Sequence, residues 1–489
     1  MTGMDRLRGH LVKEYRKKTA KSRAVFHRAE KVMVEGGSHS NRLWRPYPFF
    51  AAAAEGPAVR DVDGNTYIDY WQGHYANVLG HNPKLIRREI AACLGRGALH
   101  TGFEAGHQID LAETLVRKLG VKEAKVRFTT SGTLATMYAV MLAQGMTGRD
   151  HVLKIGGGWH GSSPYLLKGV KYYADVGFEG RESAGLLDDI VRRTLVTRFN
   201  DCDDLQRVIK ENGDRIACFI VEPFLGVGGF LPASKDYLEL ARRLTAQHGI
   251  LLVFDEIISG FRFCPSGVQT LYGVRPDLTA FGKIIGGGHA VSAVVGPREV
   301  MEGCGRARGR ASHRLCSAGA GNRQSRSWQG RGLSGRVLFD GGTFSAHSEY
   351  MKAGLIMLGH LVRGASTIYP KLARSGERLR RGIERAFADE GVPARCTGYG
   401  NDVVPGSSLF MVHFPREADL ACKNPEEIYD DRRTNVALRE EILKLALLVN
   451  GVNAVHGGGS VSAAHNDRDI DATVAAYGEA ARLFKKYLY

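Results

Sequence analysis

From about residue 124 the chain alternates short apolar runs with stretches of helical spacing, and this alternation limits its fold more than any other feature. The runs AKVRFT (124–129), HVLKI (151–155), TLVTRF (194–199), ACFIVEP (217–223), ILLVFDE (250–256), LTAFG (278–282) and AVSAVVG (290–296) read as strands. Between them, residues 132–144 and SKDYLELARRLTAQH (234–248) read as helices, the second with Ser234 at its N-cap and Gly249 after its last turn. Several strands are apolar almost throughout, as in a parallel sheet covered on both faces, so the expected class is α/β. Ligands of such sheets sit at the carboxyl ends of the strands. Here six consecutive ends carry polar or glycine-rich sequence (TTSGTLA, GGGWHG, FND, VEP, FDEI and GK), which predicts one shared site.

Each of these ends has a chemical reading and a plainer one. Lys283 lies between a strand end and three glycines, so it is expected to be partly buried, where an ammonium ion must be paired or lose its charge. Its alternative is a structural lysine with its head in solvent. Asp255 ends an apolar strand and needs a cation or a protonated heteroatom, unless it caps a helix or pairs with an arginine. Ser131, Gly132 and Thr133 stand where a strand turns into a helix. Free N–H groups, the helix dipole and two hydroxyls there suit a phosphate, although the triplet is also an ordinary N-cap. Trp159 and His160 follow three glycines, and the aromatic either packs or stacks on a flat ring. A phosphate cradle, a stacking ring, a carboxylate and a buried lysine together describe pyridoxal 5'-phosphate, which is held by a lysine imine and whose pyridinium nitrogen is partnered by an Asp.

The surrounding stretches DVDGNTYIDY (61–70), LGHNP (79–83), VRFTTSGTLATM (126–137), DEIISGFR (255–262), DLTAFGKIIGGG (277–288) and GGTFS (341–345) resemble the class III pyridoxal-phosphate aminotransferases. Within these the chain is most similar to the glutamate-1-semialdehyde 2,1-aminomutase-like branch, from about residue 25 onward. The resemblance implies fold type I, with a large domain around a mostly parallel seven-stranded sheet and a smaller α+β domain from the N- and C-terminal segments. It implies residues 1–90 as part of the small domain, 91–365 as the large cofactor-binding domain with an insert at 303–336, and 366–489 as the C-terminal small domain. It also implies a homodimer whose phosphate site is completed by the partner subunit. Lys283 matches the imine lysine, Asp255 the partner of the ring nitrogen, Ser131-Gly132-Thr133 the phosphate loop and Trp159, followed by His160, the stacking position. Ile257 matches the residue behind the ring, and Thr343 a threonine that reaches the phosphate from the partner subunit. Asn200 and Glu222 match polar positions around the cofactor.

Several positions depart from that pattern. Leu134 stands where the family usually has Glu, and Ala346, His347 and Ser348 where Gly-Asn-Pro is usual. Gly457, within HGGGSVSAAH (456–465), occupies the place of a glutamate near the substrate entrance of the aminomutases. In GGSHSNRLWRPYPFF (36–50) the arginine register is shifted, leaving Arg42 and then Arg45 as candidates for a substrate carboxylate clamp, against simple surface ion pairs. The segment 303–336 has no apolar periodicity and reads either as an Arg/Gly/Ser-rich loop or as an out-of-frame stretch.

Charge and composition narrow the partners. The net charge of +16 invites a nucleic-acid reading, but eight arginines (306, 308, 310, 314, 323, 326, 331 and 336) fall in one segment with a single acid, Glu302. No aromatic-studded basic face remains elsewhere, so nucleic acid is not an expected partner. No run approaches the ~20 apolar residues of a membrane span. The N-terminal stretch is charged without an apolar core and reads as a basic, exposed helix. Eight scattered cysteines, with no CxxC pair or Cys/His cluster, fit reduced thiols in a cytoplasm and no metal site. The expected function is transfer of an amino group on small amino or keto acids through Lys283, as an aminotransferase or aminomutase-like enzyme. An amino-acid epimerase and a weakly catalytic cofactor-binding paralogue are the alternatives. Gly457, read as a mobile entrance without a carboxylate, favours release of the keto product and hence transamination.

Overall fold

The computed structural model describes residues 2–305, 336–417 and 419–489, so most of the arginine-rich insert expected at 303–336 lies outside the described residues. A seven-stranded sheet runs in the order Ala124–Thr129, Ser292–Pro297, Leu278–Phe281, Leu251–Glu256, Ile216–Val221, His151–Ile155, Thr194–Thr197. All pairings are parallel except those of Ser292–Pro297, which is antiparallel to both neighbours. Connection length explains the exception. The chain between Phe281 and Ser292 has room for the tight turn Lys283–Gly286, but not for the dozen or more residues of a parallel crossover.

The apolar strands are covered on both faces: every residue of Ile216–Val221 and of Leu278–Phe281 is buried. Helix Gly132–Thr147 packs across Ser292–Pro297, Leu278–Phe281 and Ile216–Val221, while helix Ser348–Arg363 packs against Gly106–Leu119 and the Lys283–Gly286 turn. Helix Lys235–His248 starts and stops where its sequence signals: Ser234 Oγ accepts from the Tyr237 N–H at 3.2 Å, and Gly249 closes it at φ 63°.

The two ends of the chain share a second unit. Strands Ala51–Glu55, Ala58–Asp61 and Thr66–Asp69 form an antiparallel meander, and Val452–Asn453 adds to its edge in parallel with Ile68–Asp69. A three-stranded sheet of Arg395–Thr397, Leu409–His413 and Gly458–Ser460 lies beside helices Ala365–Asp389 and Asp467–Leu488, which pack on each other.

Two expectations are corrected here. The N-terminal helix Gly3–Lys18 is basic but not simply exposed: Leu7, Leu11 and Tyr15, spaced by one turn, are buried in the same core as Tyr477 and Phe484. The glycine run after His456 is not a mobile entrance either. Gly457 is buried at φ 73°, and Gly458–Ser460 is a strand hydrogen-bonded to Leu409–Met411.

Candidate functional site

A cavity of about 170 Å³ lies at the carboxyl ends of the central strands. Its lining includes Thr133, Trp159, Glu222, Asp255, Ile257 and Lys283, contributed by five different strand ends. Gly132 and His160 also line it. The convergence follows from parallel strands: each delivers its last residue to the same edge of the sheet.

Asp255 is 3% exposed and held twice, by the Ile257 N–H at 3.0 Å on Oδ1 and by His160 Nδ1 at 2.8 Å on Oδ2. The bond to a carboxylate places the His160 proton on Nδ1 and leaves Nε2, also buried, without a partner among the described residues. Burial pushes the imidazole below its usual range, and the bond to Asp255 opposes the shift. Glu222, equally buried, accepts from the backbone N–H groups of Trp159 and Gly226 at 2.9 Å each. Burial and then the Asp255 charge raise its carboxyl. Lys283 is part-buried in a left-handed backbone at φ 49°, the first residue of its turn. Burial, working against Asp255 and Glu222, pushes its ammonium down to about 8. The amine is therefore available as a nucleophile near neutral pH.

The walls are closely packed. A Cβ on Gly132 would come within 3.1 Å of Ile257, and one on Gly282 within 3.0 Å of the same side chain, so Ile257 is gripped between two glycines. Gly161, at φ 86°, lets its loop touch Thr133, where a Cβ would stand 2.5 Å from Oγ1. Thr136 Oγ1 donates to the His160 carbonyl at 2.6 Å, and the Ser162 N–H donates to Thr133 Oγ1 at 3.3 Å, tying the loop to the helix. Beneath, fully buried Lys154 donates to the carbonyls of Gly158 and Lys168 at 3.0 and 2.7 Å, which fixes the glycine run. A gripped wall, an orphaned ring nitrogen, a buried carboxylate and a weakly basic amine form a donor set that fits pyridoxal 5'-phosphate.

Five predicted residues lie outside the cavity lining. Ser131 caps helix Gly132–Thr147, its Oγ accepting from the Leu134 N–H at 3.3 Å. Asn200 is not brought to the site: its amide donates to the Pro232 carbonyl at 3.1 Å and accepts from the Ser234 N–H at 2.8 Å, so both ends are spent on a neighbouring loop. Thr343 is exposed in the single chain, and so is Arg45. Arg42 is exposed, its Nε 3.5 Å from His74 Nε2.

Comparison with known proteins decides the family. The model of the class-III aminotransferases matches residues 40–310. The chain belongs to that family. It is a pyridoxal-phosphate-dependent enzyme of amino-group transfer, as its motifs imply. Among curated relatives, the glutamate-1-semialdehyde 2,1-aminomutase of Methanosphaera stadtmanae is 33% identical over 466 residues, 94% of this chain and 97% of the relative. That of Methanothermobacter thermautotrophicus is 33% identical over 462 residues, covering 94% and 98%. Among solved structures, an omega-transaminase from Sphaerobacter thermophilus superposes with a TM-score of 0.78 at 28% identity, covering 94% of this chain and 97% of its own. A beta-phenylalanine aminotransferase from Variovorax paradoxus gives 0.76 at 28% identity, covering 97% and 96%.

This class-III aminotransferase also carries site-supporting residues that sequence reasoning missed. Arg262 is 2% exposed, donating to the Ile258 carbonyl at 2.8 Å, to Ser460 Oγ at 2.9 Å and to the Tyr75 carbonyl. It ties the loop after Asp255 to two distant segments. Only its place in DEIISGFR signalled it. Thr136, one turn after Gly132, was detectable from helical spacing.

Proposed function

We propose that this enzyme is a transaminase that moves an amino group between small amino acids and keto acids. Pyridoxal 5'-phosphate, when bound, supplies the electron sink for the bond broken at the substrate's amino-bearing carbon. Lys283 Nζ anchors the cofactor and, once freed, takes a proton from that carbon and returns one, first as base and then as acid. Asp255 holds a proton on the ring nitrogen, and His160 Nδ1 fixes the Asp255 oxygen that Ile257 does not. Trp159 covers one face of the ring and Ile257 the other, while Ser131, Gly132 and Thr133 receive the phosphate. Glu222 orients Trp159 through its backbone N–H. Arg42 takes the substrate carboxylate.

The same reading makes the molecule a cytoplasmic homodimer divided at 1–90, 91–365 and 366–489. Its support is a set of exposed apolar side chains in the single chain, Leu99 73%, Phe103 78%, Ile109 59% and Phe344 60% exposed, the last adjoining Thr343 in sequence. Thr343 then completes the phosphate site across the interface. The seven described cysteines are all free, which fits a reducing compartment.

The observation that carries transamination is at Gly457. Its φ of 73° and the 2.6 Å that would separate a Cβ from Arg439 Cγ disfavour any side chain there, a carboxylate included. The neighbouring carboxylate, Glu440, is already engaged by Arg439 and His456. The second reading, intramolecular transfer, is favoured by the 33% identity with aminomutases over 466 residues. The test is to incubate the purified holoenzyme with β-alanine, 4-aminobutyrate or L-alanine, with and without pyruvate or 2-oxoglutarate, and separately with glutamate-1-semialdehyde. Turnover that requires the keto acid, with ping-pong kinetics, is the expected result. Full conversion of glutamate-1-semialdehyde to its amino-shifted isomer with no keto acid present overturns it.

A further inference from the structure

The short turn Gln72–Tyr75 is left-handed throughout, with φ of 47° at Gln72, 63° at Gly73, 58° at His74 and 70° at Tyr75. A residue with a Cβ pays about 1–2 kcal/mol to stand there. The turn is nevertheless locked. Asp69 accepts from the N–H groups of Trp71 and Gln72 at 3.2 and 2.8 Å, and Gln72 Nε2 donates to the Asp69 carbonyl at 2.8 Å. The buried Arg262 guanidinium donates to the Tyr75 carbonyl, and the turn packs against Lys283–Gly286. Strain held in this way concentrates where a side chain must be presented in one direction.

The side chain presented is His74. Its ring lies edge-on to His39, with centroids 4.9 Å apart, and to Trp71 at 4.5 Å. Its Nε2 faces Arg42 Nε at 3.5 Å, the outer limit of a hydrogen bond. Arg42 is always charged and has no carboxylate partner among the described residues. Burial, then His39, Arg42, Lys283 and His456, push the His74 imidazole down to about 4, so it is neutral in ordinary buffers. A neutral ring whose Nε2 accepts from Arg42 carries its proton on Nδ1, free to donate.

We infer that His74 is a specificity-determining residue: with Arg42 it takes the carboxylate of the substrate beside Lys283, the guanidinium supplying charge and His74 Nδ1–H a directed hydrogen bond. This rests on the amino-transfer reading. It adds that the site discriminates amino acids from simple amines, because a guanidinium and an N–H donor at the mouth go unsatisfied when the carboxylate is missing.

The test follows the visible band of the bound cofactor in the holoenzyme during titration with β-alanine, 4-aminobutyrate and L-alanine, and in parallel with ethylamine and propylamine. His74→Ala removes the donor, whereas His74→Asn keeps a donor and an acceptor and tolerates the left-handed backbone. Losing a hydrogen bond to a charged group raises the half-saturation for the amino acids about tenfold or more in His74→Ala, with the amines unchanged within about twofold. His74→Asn restores most of the loss, and thermal unfolding of the variants confirms that the fold is kept. Equal weakening of amino acids and amines, or no change in either, overturns the inference while leaving amino transfer intact. A wild-type band that no amino acid or amine shifts overturns the amino-transfer reading, and this inference with it.

Discussion

A lysine at φ 49° costs the chain about 1–2 kcal/mol relative to an extended or right-handed backbone, yet Lys283 is held there by the turn that ends the strand Leu278–Phe281. Burial then adds a second cost, because its ammonium is favoured only in part by Asp255 and Glu222. Both costs place a weakly basic amine over the cavity. Lys283→Ala keeps the backbone strain and removes the amine, so the fold should survive. Borohydride reduction should no longer fix the cofactor to the chain, and turnover should fall by about 10³-fold or more. Mass spectrometry of the reduced protein is the check: cofactor still attached to the variant would displace Lys283 from its role.

At the scale of elements, the packing around Gly457 depends on an uncommon turn. Residues Leu438–Leu443 form a π-helix, which sets Arg439 and Glu440 between different partners. Arg439 Nη1 meets His413 Nδ1 at 2.8 Å and its Nε meets Glu440 at 2.9 Å, while Glu440 accepts from His456 Nδ1 at 2.7 Å. Burial pushes the Glu440 carboxyl up, but His456 and Arg439 outweigh it and hold it well below the usual range. Gly457 completes this packing against the Arg439 stem. Gly457→Ala meets both a left-handed backbone and a Cβ contact of 2.6 Å, so it should destabilise by about 1–3 kcal/mol. Urea unfolding of the full-length protein measures this, and an unchanged midpoint would show that the strand Gly458–Ser460 yields freely.

Across the whole molecule, buried ionisable groups set the pH dependence of stability. Burial lowers Lys154 and Lys444 from the usual 10.5 to about 7, Lys444 lying between the indoles of Trp44 and Trp71. Between pH 7 and 10.5 the unfolded chain binds protons that the folded chain does not, so these lysines make stability rise with pH. Relief of repulsion from the net charge of +16 acts in the same direction. Buried thiols oppose it: Cys218 and Cys422 are raised from 9.0 to about 12, so above pH 9 the unfolded chain sheds protons the folded chain keeps. The urea midpoint should therefore climb from pH 7 to about pH 9 and fall beyond it. A midpoint that declines steadily from pH 7 would contradict this balance.

The sequence by itself determined what depends on neighbours along the chain. Near-continuous apolar runs announced a sheet buried on both faces, and residues fixed to the ends of those runs had to meet at one edge. That is why Asp255, Glu222, Trp159, Thr133 and Lys283 were legible: each is tied to a strand end by one to four residues of backbone. Only the tertiary structure decided what depends on contacts between distant segments. The left-handed turn carrying His74 is held by Arg262, 187 positions away, and no local signal in WQGHY specifies it. The basic N-terminal helix buries Leu7 and Leu11 because Lys444–Val449 and the last helix offer them an apolar face. The glycines after His456 look mobile in sequence, but become a strand once Leu409–Met411 supplies their hydrogen-bond partners. Asn200 lies at a strand end like the site residues, yet a loop at Pro232–Ser234 claims its amide. A side chain's partner is settled by whichever donor or acceptor the fold brings within about 3 Å, and sequence spacing carries that information only within an element.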